Sequence, residues 1–152
     1  MLARTHLVIG IFGIILFWPL VNAPIPFAVV VLIASLFPDI DNAFSRVGKN
    51  IPAKLVQVVT EHRGFIHSLT FCVLISVILS VFVPILAFGF FLGYSLHLLT
   101  DSFTRMGITP FWPYSRKAQG VLRTGSMVEQ GIFISFILVD VLLIVFYLIN
   151  IS

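Results

Sequence analysis

The fold is decided by residues 71–101, FCVLISVILSVFVPILAFGFFLGYSLHLLTD, an apolar stretch that reaches its first charged residue at Asp101. A single helix over 66–103 would be about 57 Å long at about 1.5 Å per residue. That is nearly twice the thickness of a bilayer core, which is about 30 Å. Because proline interrupts a helix, we predict two membrane helices joined by a turn near Pro84.

The composition of the whole chain is that of a membrane protein. Of its 152 residues, 59% are hydrophobic and 10% are charged, whereas soluble domains carry about 25% charged residues. The formal net charge of +3 is spread over several loops, so nucleic acid is not predicted as a partner. We predict an all-α polytopic membrane helix bundle, built as one membrane-embedded domain over residues 1–152.

Apolar runs predict about five transmembrane helices, separated by proline, glycine and charged residues. Their predicted ranges are 6–20, 25–38, 65–83, 85–103 and 128–150. The first two are short for a hydrocarbon core that needs about 20 residues. They are expected to tilt little, to thin the bilayer locally, or to form a hairpin that does not cross fully.

The basic residues predict the orientation of this bundle. With five spans, the N-terminus shares one side with the loops 39–64 and 104–127, and all nine Lys and Arg residues lie on that side or at its border. The positive-inside rule places this side in the cytoplasm. We therefore predict a multi-pass protein of the cell inner (plasma) membrane with a cytoplasmic N-terminus.

Histidines and carboxylates concentrate on the same side. His97 and Asp101 are four residues apart and share one helical face, and an ionisable residue near a span is a functional hypothesis by default. Histidine and carboxylate without cysteine are ligands of catalytic Zn²⁺, Mn²⁺ or Fe²⁺. We predict a divalent metal site of one or two ions, zinc first and manganese or iron as alternatives. The candidate ligands are His6, Asp39, Asp41, His62, His67, His97 and Asp101.

Two further features concern helix boundaries. His62 and His67 are five apart and would diverge by about 140° on an unbroken helix, at about 100° per residue. We predict that Gly64 breaks the helix between them and leaves His67 in the first turn of the third span. Ser126 and Glu129 match a capping box at the start of the last span, which is an alternative to a role for Glu129 in the site.

Five motifs carry a resemblance to a known family. They are PDID (38–41), HRGFIHS (62–68), GYSLHLLTD (93–101), GITPFWP (107–113) and GSMVE (125–129). In these motifs the chain resembles the LexA-regulated, membrane-bound metal-dependent hydrolase family of the YdjM type. Two departures are Ile66, where the family usually has Thr, and Asn42, where some members have His. The order of ligands is also similar to that of zinc-dependent phospholipase C and related single-strand nucleases, which implies phosphoester hydrolysis.

The predicted mechanism is hydrolysis by metal-activated water at the cytoplasmic membrane face. A metal lowers the pKa of bound water from about 15.7 to about 7, and the predicted substrate is a phosphoester in a membrane lipid or a lipid-linked small molecule. Arg63 and Arg123 are predicted to clamp phosphate oxygens. If two ions bind, Asp101 bridges them, and His6 and Glu129 complete the second site; otherwise Glu129 acts as general base.

The sequence also predicts roles for residues around the site. Ser68 and Tyr94 are predicted to orient the histidines. The segment TPFWPYSR (109–116) is either an interfacial aromatic belt or a lid over the substrate, and the last span offers a surface for oligomerisation. Asp140 is expected to lie too deep to join the site.

The main alternative function is a metal ion or proton transporter. A transporter would place histidine and aspartate near the bilayer midplane, whereas here they cluster on one side. A third alternative is a scaffold with a closed structural metal site.

Overall fold

The computed structural model describes residues 1–39 and 64–151. Five α-helices of 13 to 25 residues run through these ranges. They are α1 (Ala3–Phe17), α2 (Pro24–Leu36), α3 (Leu69–Phe82), α4 (Pro84–Ser102) and α5 (Met127–Ile151). One 3-10 turn extends α1 over Trp18–Leu20 and another extends α2 over Phe37–Asp39. Among the described residues there is no β-strand beyond two isolated bridges, so the all-α fold class is confirmed.

Three helical segments are long and apolar enough to cross a membrane. They are Ala3–Leu20, Pro84–Ser102 and Met127–Asn150. The segments Pro24–Asp39 and Leu69–Phe82 are also apolar but shorter. Each of the five predicted spans therefore corresponds to a helix, and in the described part of the chain three of these helices reach spanning length.

The third helix begins later than the sequence predicted. Residues 64–66 are helical, His67 lies in a turn and Ser68 in a bend, and α3 starts at Leu69. The hydroxyl of Ser68 accepts a hydrogen bond from the backbone N–H of Phe71 at 3.1 Å, which satisfies one of the free donors of a helix N-terminus. The predicted break at Gly64 was therefore wrong, because the capping side chain lies four residues further on.

The predicted turn at Pro84 is confirmed. Val83 alone separates α3 from α4, with φ −144° and ψ 67°. The two helices fold back on each other, so that the Sγ of Cys72 lies 3.6 Å from the Oγ of Ser95. This hairpin brings the start of α3 and the end of α4 to the same end of the bundle.

The helices α2 and α4 approach each other closely. A Cβ atom added at Gly93 of α4 would come within 2.3 Å of the carbonyl oxygen of Val31 in α2. Small residues at such positions let helix backbones approach closely in membranes. In the same pair of helices, the last turn of α2 reaches the polar end of α4, where the carbonyl oxygen of Ser35 lies 2.8 Å from the Nδ1 of His97.

The last helix contributes little to the interior. α5 packs against α1, where the rings of Phe12 and Phe136 meet edge to face at 5.4 Å. Only 6% of an 18-residue apolar stretch within it is buried inside the chain. The rest is apolar surface suited to acyl chains, and oligomerisation through this helix stays a prediction.

The segment between α4 and α5 folds over the start of α3. Its two arms are joined by reciprocal backbone hydrogen bonds between Ile108 and Ala118, each 2.9 Å long. At its tip, the carbonyl oxygen of Pro110 accepts hydrogen bonds from the backbone N–H groups of Leu69 and Thr70, at 2.8 and 3.3 Å. The segment is therefore anchored to α3 and positions the turn that carries His67.

Candidate metal centre

Helix ends from four helices converge at one end of the bundle. The start of α1 meets the end of α4, where the Nε2 of His6 lies 3.3 Å from the Oδ1 of Asp101. The end of α2 meets the turn before α3, where the Oδ1 of Asp39 lies 3.9 Å from the Nε2 of His67. These contacts bring together residues that the sequence predicted at a common membrane level.

Four of the predicted ligands form one compact group. Asp39, His67, His97 and Asp101 each offer a ligand atom, and these four atoms lie within 4.8 Å of one another. Two carboxylates this close repel each other, the more so away from bulk water. A divalent cation would offset that repulsion, so the donor set and its charge both fit a metal ion.

The ring of His97 is oriented by the backbone of α2. Its Nδ1 donates a hydrogen bond to the carbonyl oxygen of Ser35 at 2.8 Å. The proton then lies on Nδ1, and Nε2 carries a lone pair that faces the Oδ2 of Asp101 at 3.6 Å. His97 is 1% exposed, and its Nε2 has no hydrogen-bond partner. A buried, unpartnered nitrogen facing a carboxylate is the arrangement expected of a metal ligand.

The turn before α3 is held from two sides. The hydroxyl of Tyr94, which is fully buried, donates a hydrogen bond to the carbonyl oxygen of Ile66. On the other side, the hydroxyl of Thr109 donates to the carbonyl oxygen of Gly64 at 3.2 Å. His67 follows directly, and its buried Nδ1 has no hydrogen-bond partner. Tyr94 thus positions His67 through the backbone.

Removing the Tyr94 hydroxyl tests this positioning role. Tyr94→Phe is expected to weaken metal binding by about 10-fold, the lower end of what loss of an outer-shell partner costs. Zn²⁺ titration of the detergent-purified protein against a competing chelator measures the change. Tyr114→Phe is the matched control, because Tyr114 is 76% exposed. Equal affinities in the two variants would contradict the role.

His6 lies against the four-residue group without belonging to it. Its ring stacks on that of His97, with centroids 3.9 Å apart and an interplanar angle of 17°. The hydroxyl of Thr100 lies 2.9 Å from the Nδ1 of His6, and it donates to helix carbonyl oxygens of Leu96 and His97. On its other side, the Nε2 of His6 lies 3.3 Å from the Oδ1 of Asp101, so the ring is held between the hydroxyl and the carboxylate.

The α-amino group of Met1 forms an ion pair with the Oδ1 of Asp101. The start of the chain is held in place by Glu129, whose Oε1 accepts from the backbone N–H of Leu2 at 2.6 Å and from the hydroxyl of Thr5 at 3.0 Å. The α-amino group therefore places a positive charge beside the carboxylate of Asp101, at the end of α4.

Both carboxylate oxygens of Glu129 accept hydrogen bonds. Its Oε2 accepts from the backbone N–H of Gly125 at 2.6 Å, while Oε1 binds the start of α1. The hydroxyl of Ser126 accepts from the backbone N–H of Glu129 at 3.4 Å, as in one half of a capping box. These contacts join α1 to α5, and a role for Glu129 as general base or metal ligand stays a prediction.

Other predicted site residues fall elsewhere. Asp41, His62 and Arg63 lie outside the described residues. Arg123 is exposed on the segment before α5, and its predicted phosphate contact stays a prediction. The predicted role of Ser68 is replaced by the observed one, because its hydroxyl caps α3 and donates to the carbonyl oxygen of Phe65.

Three groups that shape the site were missed from the sequence. They are the carbonyl oxygen of Ser35, the hydroxyl of Thr100 and the α-amino group of Met1. Thr100 had a usable signal, since it adjoins Asp101 and lies one turn from His97. A backbone carbonyl has no sequence signal, because every residue carries one.

The fold and the site define a helical membrane protein with a His/Asp group suited to a metal ion. The chain belongs to the YdjM inner membrane protein family, whose model matches residues 1–151. The Bacillus subtilis protein YvsG is 33% identical over 113 residues, covering 70% of this chain and 71% of YvsG. The Escherichia coli inner membrane protein YdjM is 36% identical over 91 residues, covering 54% of this chain and 46% of YdjM. No solved structure matches the chain.

Proposed function

We propose that the protein is a membrane-embedded, metal-dependent hydrolase whose substrate is a phosphoester in a lipid or lipid-linked molecule. The observation that carries this proposal is the group of Asp39, His67, His97 and Asp101, whose ligand atoms lie within 4.8 Å of one another. Catalytic zinc sites use histidine and carboxylate, whereas closed structural sites are built mainly from cysteine. Control of the gene by LexA is part of the family resemblance and stays a prediction.

Some residues of the site would bind the ion, and others would hold those ligands in position. His97 would bind the ion through its Nε2, which has no hydrogen-bond partner, and His67 would bind it through the Nε2 that lies 3.9 Å from the Oδ1 of Asp39. The two aspartates would neutralise the charge of the ion. The bound ion would supply Lewis acidity, polarising a phosphoryl oxygen and lowering the pKa of a water molecule. Ser35 and Tyr94 would keep the histidines in position through their hydrogen bonds.

The position of the site favours a substrate from the membrane. The group lies at the ends of α2 and α4, so its level is that of the bilayer surface if α4 spans the membrane. The neighbouring segment presents exposed Phe111, Trp112 and Tyr114, and such aromatic side chains favour the headgroup region. A lipid headgroup phosphoester is the substrate class that reaches this level.

Metal removal and restoration test the proposal. The detergent-purified protein is expected to contain Zn²⁺, Mn²⁺ or Fe²⁺ by mass spectrometry and to hydrolyse phosphoesters in mixed micelles, including an aryl phosphodiester and a glycerophospholipid. Treatment with a chelator should abolish hydrolysis, and the same ion should restore it. Protein treated with a chelator already saturated with that ion serves as the control.

The other outcomes separate the rival functions. Stoichiometric metal without hydrolysis of any phosphoester would favour the scaffold with a structural ion. Ion uptake into metal-free vesicles containing the protein would favour the transporter. The buried, unpartnered carboxylate of Asp140 would then be an ion-binding site within the membrane. A protein that binds no divalent ion would refute the hydrolase.

A further inference from the structure

We infer that His6 is a positioning residue of the metal centre, which holds His97 and Asp101 in place without binding the ion itself. This inference rests on the proposed metal site. The sequence predicts His6 as a ligand, but in the structure it is 1% exposed and stands outside the four-residue group. Its contacts are with the residues of that group, so it is placed to act through them.

The ring planes show why His6 and His97 do not share an ion. The two rings are nearly parallel, with centroids 3.9 Å apart and an interplanar angle of 17°. A histidine binds a metal ion through a lone pair in the plane of its ring, at about 2.0–2.1 Å for zinc. Two stacked, nearly parallel planes do not meet at so short a distance from both nitrogens. An ion bound in the plane of His97 therefore lies outside the plane of His6.

The same stack fixes the plane of His97. His6 covers one face of the ring, and a closely packed ring cannot tilt without displacing its neighbour. Within the plane, the Nδ1 of His97 lies 2.8 Å from the carbonyl oxygen of Ser35. The hydrogen bond sets the direction of the ring and the stack opposes tilting, so the Nε2 stays 3.6 Å from the Oδ2 of Asp101.

His6 also lies behind the two carboxylates of the group. Its Nε2 lies 3.3 Å from the Oδ1 of Asp101 and 3.9 Å from the Oδ2 of Asp39. The other oxygen of each carboxylate faces a histidine of the group, which is His97 for Asp101 and His67 for Asp39. Carboxylates that bind metals are themselves held by polar partners. His6 thus contacts the outer oxygens and leaves the inner pair to the ion.

His6 is itself held by neighbouring helices. The hydroxyl of Thr100 in α4 lies 2.9 Å from its Nδ1. Glu129 of α5 holds the start of α1, which carries His6, by accepting hydrogen bonds from the backbone N–H of Leu2 and the hydroxyl of Thr5. Protein groups alone therefore fix the ring against α4, as expected of a residue that positions ligands.

Cu²⁺ alone, added to the metal-free chain in detergent, tests whether His6 binds the ion. Pulsed electron paramagnetic resonance counts the imidazoles bound to Cu²⁺ through the signals of their remote nitrogens. We expect two bound imidazoles in the parent chain, those of His67 and His97, and the same two in His6→Ala. His97→Ala is the matched control and should show one.

Zn²⁺ titration against a competing chelator tests whether His6 positions the ligands. His6→Ala should keep its full Zn²⁺ content at saturation but bind the ion about 10-fold more weakly, the lower end of the cost of losing a group that holds a ligand. His6→Phe keeps a ring against His97 but cannot bind a metal, so it should recover part of this loss. Circular dichroism shows whether each variant is folded.

The outcomes distinguish this inference from the proposed function. Three imidazoles bound in the parent chain, or a second ion per chain that His6→Ala loses, would overturn the inference, because His6 would then be a ligand. Equal Zn²⁺ affinity in the parent and in a folded His6→Ala variant would also overturn it. If His6→Ala does not fold, the imidazole count in the parent chain still decides. A parent chain that binds neither Cu²⁺ nor Zn²⁺ would refute the proposed function itself.

Discussion

Asp101→Asn is expected to lower the affinity for divalent metal by more than about 100-fold, because loss of an outer-shell partner alone costs about 10- to 100-fold and Asp101 is proposed as a direct ligand. Its carboxylate faces both His97 and His6, at 3.6 and 3.3 Å. Asparagine keeps the shape but removes the negative charge and replaces one oxygen by an NH₂ donor, which faces a histidine lone pair. Metal content by mass spectrometry and phosphoester hydrolysis should fall together.

Asp140→Asn is the matched control for this change. Asp140 is also a buried carboxylate in a helix, at 5% exposure, but it lies about 16 Å beyond Glu129 along α5 at about 1.5 Å per residue. Metal content and hydrolysis should therefore stay at the parent level. If Asp101→Asn kept its full metal content while remaining folded, the ligand set proposed for the ion would be wrong.

Gly93→Ala is expected to destabilise the protein by about 3 kcal/mol, the upper end of the usual range for overpacking. The added Cβ would meet the carbonyl oxygen of Val31 at 2.3 Å, and a backbone atom cannot move aside as a flexible side chain can. The helices α2 and α4 must separate. Since the carbonyl oxygen of Ser35 in α2 orients His97 in α4, metal affinity should fall with stability.

Gly131→Ala in α5 controls for the loss of a helical glycine. A Cβ at Gly131 would have nothing within 4 Å, and alanine favours helix over glycine by about 1 kcal/mol, so stability should hold or rise. Thermal unfolding in detergent, followed by circular dichroism with and without Zn²⁺, measures both variants. A Gly93→Ala protein as stable as the parent and with full metal affinity would contradict the close contact of α2 and α4.

The helices and their boundaries were largely predictable from the sequence. Apolar runs and the breaks at Pro24 and Pro84 predicted spans from 25 and from 85, and α2 and α4 begin one residue earlier, at the prolines themselves. The reason is that proline is favoured at the first helical position. The start of α3 was not predicted correctly. Ser68 caps the helix there, whereas its place beside His67 in the sequence predicts a partner of histidine.

The ligand set was also predictable in part. Counting spans from one end of the chain placed His6, Asp39, His67, His97 and Asp101 at one membrane level, and the structure brings these residues together. The reason is physical, since charged and polar groups avoid the bilayer core and collect at helix ends. The sequence alone could not tell which of these residues form one compact group of possible ligands.

The sequence by itself determined that this is a membrane helix bundle and that its histidines and aspartates lie at one end, because hydropathy and helix length depend only on the order of residues. The tertiary structure alone decided the orientation of each imidazole and the hydrogen bonds that Glu129 accepts. The contacts responsible join residues far apart in the chain: His97 with Ser35 across 62 positions, Thr100 with His6 across 94, and Thr5 with Glu129 across 124. Such partners meet only after the helices have packed, so no local pattern encodes them.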